Sequence, residues 1–174
     1  MADRGYRGRP QRGERADRQI NAGHSRGLDV ALSDTEAKIR KLKTERIYAY
    51  DKDGKEIAHS QTGKAHSTQL PFGYNYKDAI ITHNHPNRGI GDTIAGRVGT
   101  ILSGADIFTT IAHNASEIRA VTKNYTYSLK RPSKGWGLSE SDAWDILVRK
   151  IRNGDEPFSK NRQSIFQRAE YEIE

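Results

Sequence analysis

Apolar positions along the chain recur with two periods, about 3.6 and 2 residues, and the changes between them mark out the elements. The segment SDTEAKIRKLK sets Ser33 three positions before Glu36, the spacing of a capping box, and continues with Ile39 and Leu42. It predicts a short amphipathic helix over 34–43. In ERIYAYDKDGKEIAH, Ile47 and Ala49 alternate with Tyr48 and Tyr50, residues 51–54 supply turn chemistry and 56–59 resume the alternation, so a β-hairpin is expected. The apolar run 78–83 reads as a short strand that delivers its last residues into HNHPNRG, and 87–101, with four glycines and little periodicity, reads as loop. LSGADIFTTIAHNA reads as a helix with Ser103 as N-cap and Asp106 at its third position. Two strands are expected at 117–122 and 126–129, and a helix over 138–153 with Ala143, Ile146, Leu147 and Ile151 on one face and Gly154 as its stop. A last helix, capped by Ser159 and carrying Ile165, Phe166 and Ala169, completes the pattern. The expected fold is α+β: a mixed, curved sheet flanked by the helices at 34–43 and 103–114. Residues 34–135 are expected to form this domain, 136–174 a helical C-terminal extension, and 1–33 a disordered arm.

A chain of 174 residues accommodates one such domain with extensions. The absence of cysteine excludes a disulfide scaffold, a thiol nucleophile and thiolate-ligated zinc, so any catalytic or metal chemistry falls to His, Asp, Glu, Ser or Lys. No apolar run reaches the roughly 20 residues of a membrane span, and the start MADRGYRGRPQRGERADRQ lacks the apolar core of a signal peptide, so a cytoplasmic location without membrane partners is expected. The net charge of +7 is concentrated at the start, where Arg4, Arg7, Arg9, Arg12, Arg15, Arg18 and Arg26 face only Asp3, Glu14 and Asp17. Such an arm can hold nucleic-acid phosphates, or it can serve as a solvated leader; Tyr6 as its one aromatic favours the leader.

The chemistry centres on His83 and His85. In an extended segment, residues i and i+2 point to the same side, so the two imidazoles project together while Asn84 faces the other way. A catalytic zinc takes three protein ligands and keeps one position open, and Asp106, in the first turn of the following helix, can supply the third. Taken alone, His-x-His is more often a chance pairing, each ring hydrogen-bonded at the surface or stacked on Pro86.

The wider pattern is more specific. ITHNHP, followed by LSGADI and preceded by a strand opening at Glu45, resembles the JAB/MPN (JAMM) metalloprotease family over about residues 44–131. The family's order is Glu, then His-x-His-Pro, then Ser-x-x-Asp; its bacterial branch includes RadC-like proteins and phage- or toxin-associated domains. The resemblance implies Zn2+ held by His83, His85 and Asp106, Glu45 as general base towards the attacking water, and Ser103 as hydrogen-bond donor to the developing oxyanion. It implies a protein or peptide substrate, cut at a peptide or isopeptide bond, in a phage particle, a delivered toxin or a bacterial cytoplasm. One departure stands out: 17 residues separate His85 from Ser103, where the family usually has about seven. With that insertion, Asp92 competes with Asp106 as third ligand, and Glu56 competes with Glu45 as base. Two other function classes remain open. A metal-dependent nuclease would use the basic charge, although nuclease His-Asn-His motifs space those residues widely; a non-catalytic binding module would keep the fold alone. The remaining histidines are assigned ordinary places: His113 at a helix C-terminus beside its dipole, His24 in the arm, His59 and His66 exposed. Trp136 and Trp144 are expected to dock the C-terminal helices.

Overall fold

The computed structural model describes residues 21–60, 68–86, 102–153 and 170–173. Among these, helices α1 (Arg26–Ile39), α2 (Gly104–Ala112) and α3 (Glu140–Asn153) combine with strands β1 (Ile47–Tyr50), β2 (Glu56–His59), β3 (Ile80–Asn84), β4 (Glu117–Val121), β5 (Thr126–Lys130) and β6 (Glu170–Ile173). The strands form one mixed sheet in the order β2-β1-β3-β4-β5-β6. Only β3 and β4 run parallel, as the crossover through α2 requires; the other neighbours are antiparallel. The class is the α+β class that the alternation of periods predicts. No helix among the described residues is long and apolar enough to cross a membrane.

Period-two alternation sorts the sheet's side chains into two layers. Ile47, Ala49, Ile81, Ile118, Ala120, Tyr127 and Leu129 pack with Ile107, Phe108 and Ile111 of α2 and with Ala143, Ile146 and Leu147 of α3. On the opposite face, Tyr50 and Ile80 pack with Leu28 and Leu32 of α1. Helix α3 therefore shares the principal core, and Trp136 joins it, its indole N–H donating to the Ala115 carbonyl at 2.9 Å. Trp144 is half-exposed, its ring edge-on to His113. Burial holds the His113 imidazole below its usual pKa, so the ring meets the end of α2 as a neutral packing group between Tyr76 and Trp144.

The first helix departs from expectation. It begins at Arg26 with Ser25 as N-cap, whose hydroxyl oxygen accepts the Leu28 N–H at 3.1 Å, so Ser33 lies inside the helix and cannot cap it. The apolar stripe continues backwards from Ile39 through Leu32 to Leu28, and residues 26–33, assigned to the arm on charge, are helical because that stripe is buried. The helix is tied at both ends. Ser25 Oγ donates to the Lys52 carbonyl in the hairpin turn at 2.8 Å, and Arg40 donates to the Tyr125 carbonyl at 3.0 Å and to Thr126 Oγ1 at 2.8 Å. Its first turn lies so close to the hairpin that a Cβ on Gly27 would stand 2.5 Å from the Asp53 carbonyl oxygen. At the other terminus, residues 159–169 of the expected last helix lie outside the described residues. Its final stretch, Glu170–Ile173, is a strand paired antiparallel with β5, in keeping with the period-two alternation of Tyr171 and Ile173 with two glutamates.

Beneath α1 lies a buried charge cluster. The Arg119 guanidinium donates from Nε to Glu36 Oε1 at 2.6 Å, from Nη2 to Glu36 Oε2 at 3.2 Å and from Nη1 to Glu117 Oε1 at 2.8 Å. Thr82 Oγ1 donates to Glu36 at 3.0 Å, Ser128 Oγ to Glu117 at 2.6 Å, and His24 Nε2 bonds Glu117 Oε2 at 2.6 Å. Glu36 is thus a buried helix-to-sheet ligand rather than a capping residue, and His24 belongs to the domain rather than to the arm. Burial works against ionisation of Glu117, but the hydrogen bond from His24, the charge of Arg119 and the hydrogen bond from Ser128 outweigh it and bring the pKa to about 2.

Removing the shared cation should be severe. Arg119→Ala leaves two buried carboxylates without their partner and is expected to cost about 3–5 kcal/mol, read by urea unfolding at neutral pH. The folded Glu117 pKa lies below its ordinary 4.5, so its stabilisation is present above that value and is lost as pH falls through about 2. Unfolding curves between those limits should show wild type losing stability more steeply than Glu117→Gln.

Candidate metal centre

Strand β3 holds its extended path past its last paired residue because the His85 N–H donates to the Val121 carbonyl at 2.8 Å. His83 and His85 therefore keep the two-residue spacing and share the α2 face with Ile81. Their ring centroids lie 4.7 Å apart and their Nε2 atoms 2.7 Å apart. The crossover returns the chain at Leu102, fully buried in the core, and Ser103 then caps α2. Ser103 Oγ accepts the Asp106 N–H at 3.1 Å, while the Ser103 N–H donates to Asp106 Oδ2 at 2.7 Å. This reciprocal capping box fixes the carboxylate, with Oδ1 3.4 Å from His83 Nε2 and Oδ2 3.7 Å from His85 Nε2. Two imidazole nitrogens and one carboxylate, all within 4.8 Å of one another, form the one such group of three or more found among the described residues.

The donor set fits a divalent cation of the zinc type: two like-oriented imidazoles and a carboxylate from a separate element. The histidine side chains are 2% and 6% exposed, and that of Asp106 is 21% exposed. Electrostatics match the arrangement. Burial disfavours a charged His83, but the nearby carboxylate of Asp106 and then the charge of Glu45 outweigh it and raise the pKa above its usual value. Burial likewise opposes ionisation of Asp106, and the two imidazoles beside it, His83 first and then His85, overcome it and hold the carboxyl well below its usual range.

Glu45 is buried two residues before the start of β1, whose Ile47 pairs with His83 across the antiparallel ladder, and its charge acts on His83. Glu56 lies on β2, exposed and hydrogen-bonded to His59, away from the centre. Asp92 lies outside the described residues. Ser103 sits in the same first turn as Asp106; its oxygen accepts the capping bond, and its hydroxyl hydrogen retains donor capacity. His83, His85, Asp106, Glu45 and Ser103 are all among the described residues, and the three nominated ligands come together. Sequence reasoning passed over Asn84, which is as buried as His83. The signal was available: a polar residue between two inward-facing ligands on a central strand points into the opposite side of a closed layer and must be satisfied there.

No protein-family model, curated protein or solved structure matches the chain. The class defined by fold and site together is therefore an α+β protein with a His-His-Asp cluster between the end of a parallel strand and the start of its crossover helix.

Elemental analysis of protein supplied with zinc should find about one ion per chain in wild type and none in His83→Ala, His85→Ala or Asp106→Asn. Asp106→Asn keeps an oxygen for the Ser103 N–H, so its metal-free stability should fall by only about 1–2 kcal/mol, separating lost metal from lost fold in thermal unfolding.

Proposed function

We propose that this protein is a zinc-dependent hydrolase of peptide or isopeptide bonds, built on the JAB/MPN plan that its motifs resemble. The observation that carries the reading is the convergence of His83, His85 and Asp106, with Glu45 buried close enough for its charge to act on His83. His83, His85 and Asp106 would hold the ion. Zinc in such a setting supplies Lewis acidity, which polarises a carbonyl and brings the acidity of water towards neutrality. The chain's own groups divide the remaining work. Glu45, an acceptor when ionised, takes the proton from the attacking water and returns it to the leaving amine. The Ser103 hydroxyl donates to the oxygen on which negative charge develops, a contact worth more in the transition state than in the ground state. The capping box holds Ser103 and Asp106 as one rigid unit, so donor and ligand keep a fixed relation.

The test is cleavage of fluorogenic peptides and of ε-linked isopeptides at saturating zinc. Wild type should cleave one of these classes, and Glu45→Gln should lose about 100- to 10,000-fold in kcat with the ion still bound. Zinc-loaded wild type that cleaves neither class would refute the hydrolase and leave a binding module; zinc-dependent cutting of DNA would replace the peptidase with a nuclease.

A further inference from the structure

The residue between the two histidines does a separate task. Asn84 is 2% exposed, and each polar atom of its side chain is engaged. Its Oδ1 accepts the Arg46 N–H at 2.6 Å, its Nδ2 donates to the Thr44 carbonyl at 3.0 Å, and its own backbone N–H donates to the Arg46 carbonyl at 3.3 Å. All three bonds go to the residues on either side of Glu45. The register explains why a side chain is needed. The β1–β3 ladder begins at the pair Ile47 and His83; one step beyond it the Asn84 N–H still meets the Arg46 carbonyl, but the Arg46 N–H goes to the Asn84 side chain. The Asn84 amide takes over where that ladder ends, offering one acceptor and one donor as a peptide group would.

We infer that Asn84 is the positioning residue that holds Glu45 against the metal centre, acting through the peptide groups of Thr44 and Arg46. The inference rests on the zinc-centre reading given above. Few other side chains meet the requirement. Aspartate has no donor for the Thr44 carbonyl, serine and threonine are too short to bridge both groups, and glutamine is longer by one methylene in a fully packed site. Because Asn84 lies directly between His83 and His85, the same three residues fix the two imidazoles on one face and the carboxylate's segment beside them.

The experiment is a double-mutant cycle on zinc affinity, measured by competition with a chromophoric chelator, in wild type, Glu45→Gln, Asn84→Ala and the double variant. If Asn84 acts through Glu45, each single variant should weaken zinc by about 10- to 100-fold, and the double variant should be no weaker than Asn84→Ala alone. Losses that multiply in the double variant, or an Asn84→Ala protein with wild-type affinity, would show a merely structural asparagine and overturn the assignment. Should Asn84→Ala fail to fold, amide hydrogen exchange on the wild type decides: the Arg46 N–H should be strongly protected, and in Glu45→Gln equally so. Exchange of that amide at the rate of an open backbone group overturns the clamp. Wild type that binds no zinc overturns the metal reading and the role of Asn84 with it, whereas multiplicative losses overturn Asn84 alone.

Discussion

The alternation of side chains along β3 is the constraint from which the rest of the structure follows. Five consecutive buried residues and the one after them are sorted to their tasks by a two-residue repeat. Ile80 goes to the α1 layer and Ile81 to the α2 layer. Thr82 bonds Glu36 beneath α1. His83 and His85 turn to the α2 side, where Asp106 meets them. Asn84 turns the other way and secures the entry to β1. A register slip of one residue would send every one of these groups to the wrong layer, so the site and the core are specified by the same pairing.

The layer beneath α1 shows how a helix with modest apolar content is held. Leu28, Leu32 and Ile39 bury fully, but the interface also takes in Arg119, Glu36 and Glu117. Desolvating three charges is costly, and the cost is offset only because the bonds among them, with that of His24 to Glu117, leave no oxygen of either carboxylate unengaged. Burial of this kind contributes specificity as well as stability: a helix shifted by one turn would strand Glu36 away from Arg119 and Thr82.

Much of this was legible in the sequence, for reasons that can be named. The hairpin, β3, the capped helix α2 and the pair β4 and β5 all lie in segments whose periodicity and turn residues agree, and each formed within a residue or two of its expected bounds. Ser103 and Asp106 were legible together because a capping box is a local device, readable without knowledge of the fold. Where local signals compete, the reading fails. Ser33 with Glu36 imitates a helix start, but a real cap at Ser25 lies eight positions earlier, hidden in a segment whose arginines read as an arm. The charge cluster could not be seen at all, since His24, Glu36, Glu117 and Arg119 are brought together only by packing α1 on the sheet. Strand β6 belongs to the same class, because pairing with β5 decides the outcome of a segment whose composition also suits a helix.

The spacing between the second histidine and the capping serine illustrates which distances in a sequence matter physically. Seventeen residues lie between His85 and Ser103, and a motif read as a string of fixed gaps would be weakened by that number. The three side chains, however, are placed by anchors at either end rather than by the length between them. His85 is held by the Val121 carbonyl on β4, and Ser103 follows Leu102, which is locked in the core beside α2. Closing a longer connection between two fixed points costs entropy that grows only with the logarithm of its length, about 0.6 kcal/mol for each doubling. The capping box then sets Asp106 from the helix start alone, three residues after Ser103, whatever precedes it. Residues at i and i+2 on a central strand, and at the N-cap and N3 of a helix packed on that strand, are rigidly related; the span joining them can vary while the His-His-Asp cluster stays in register.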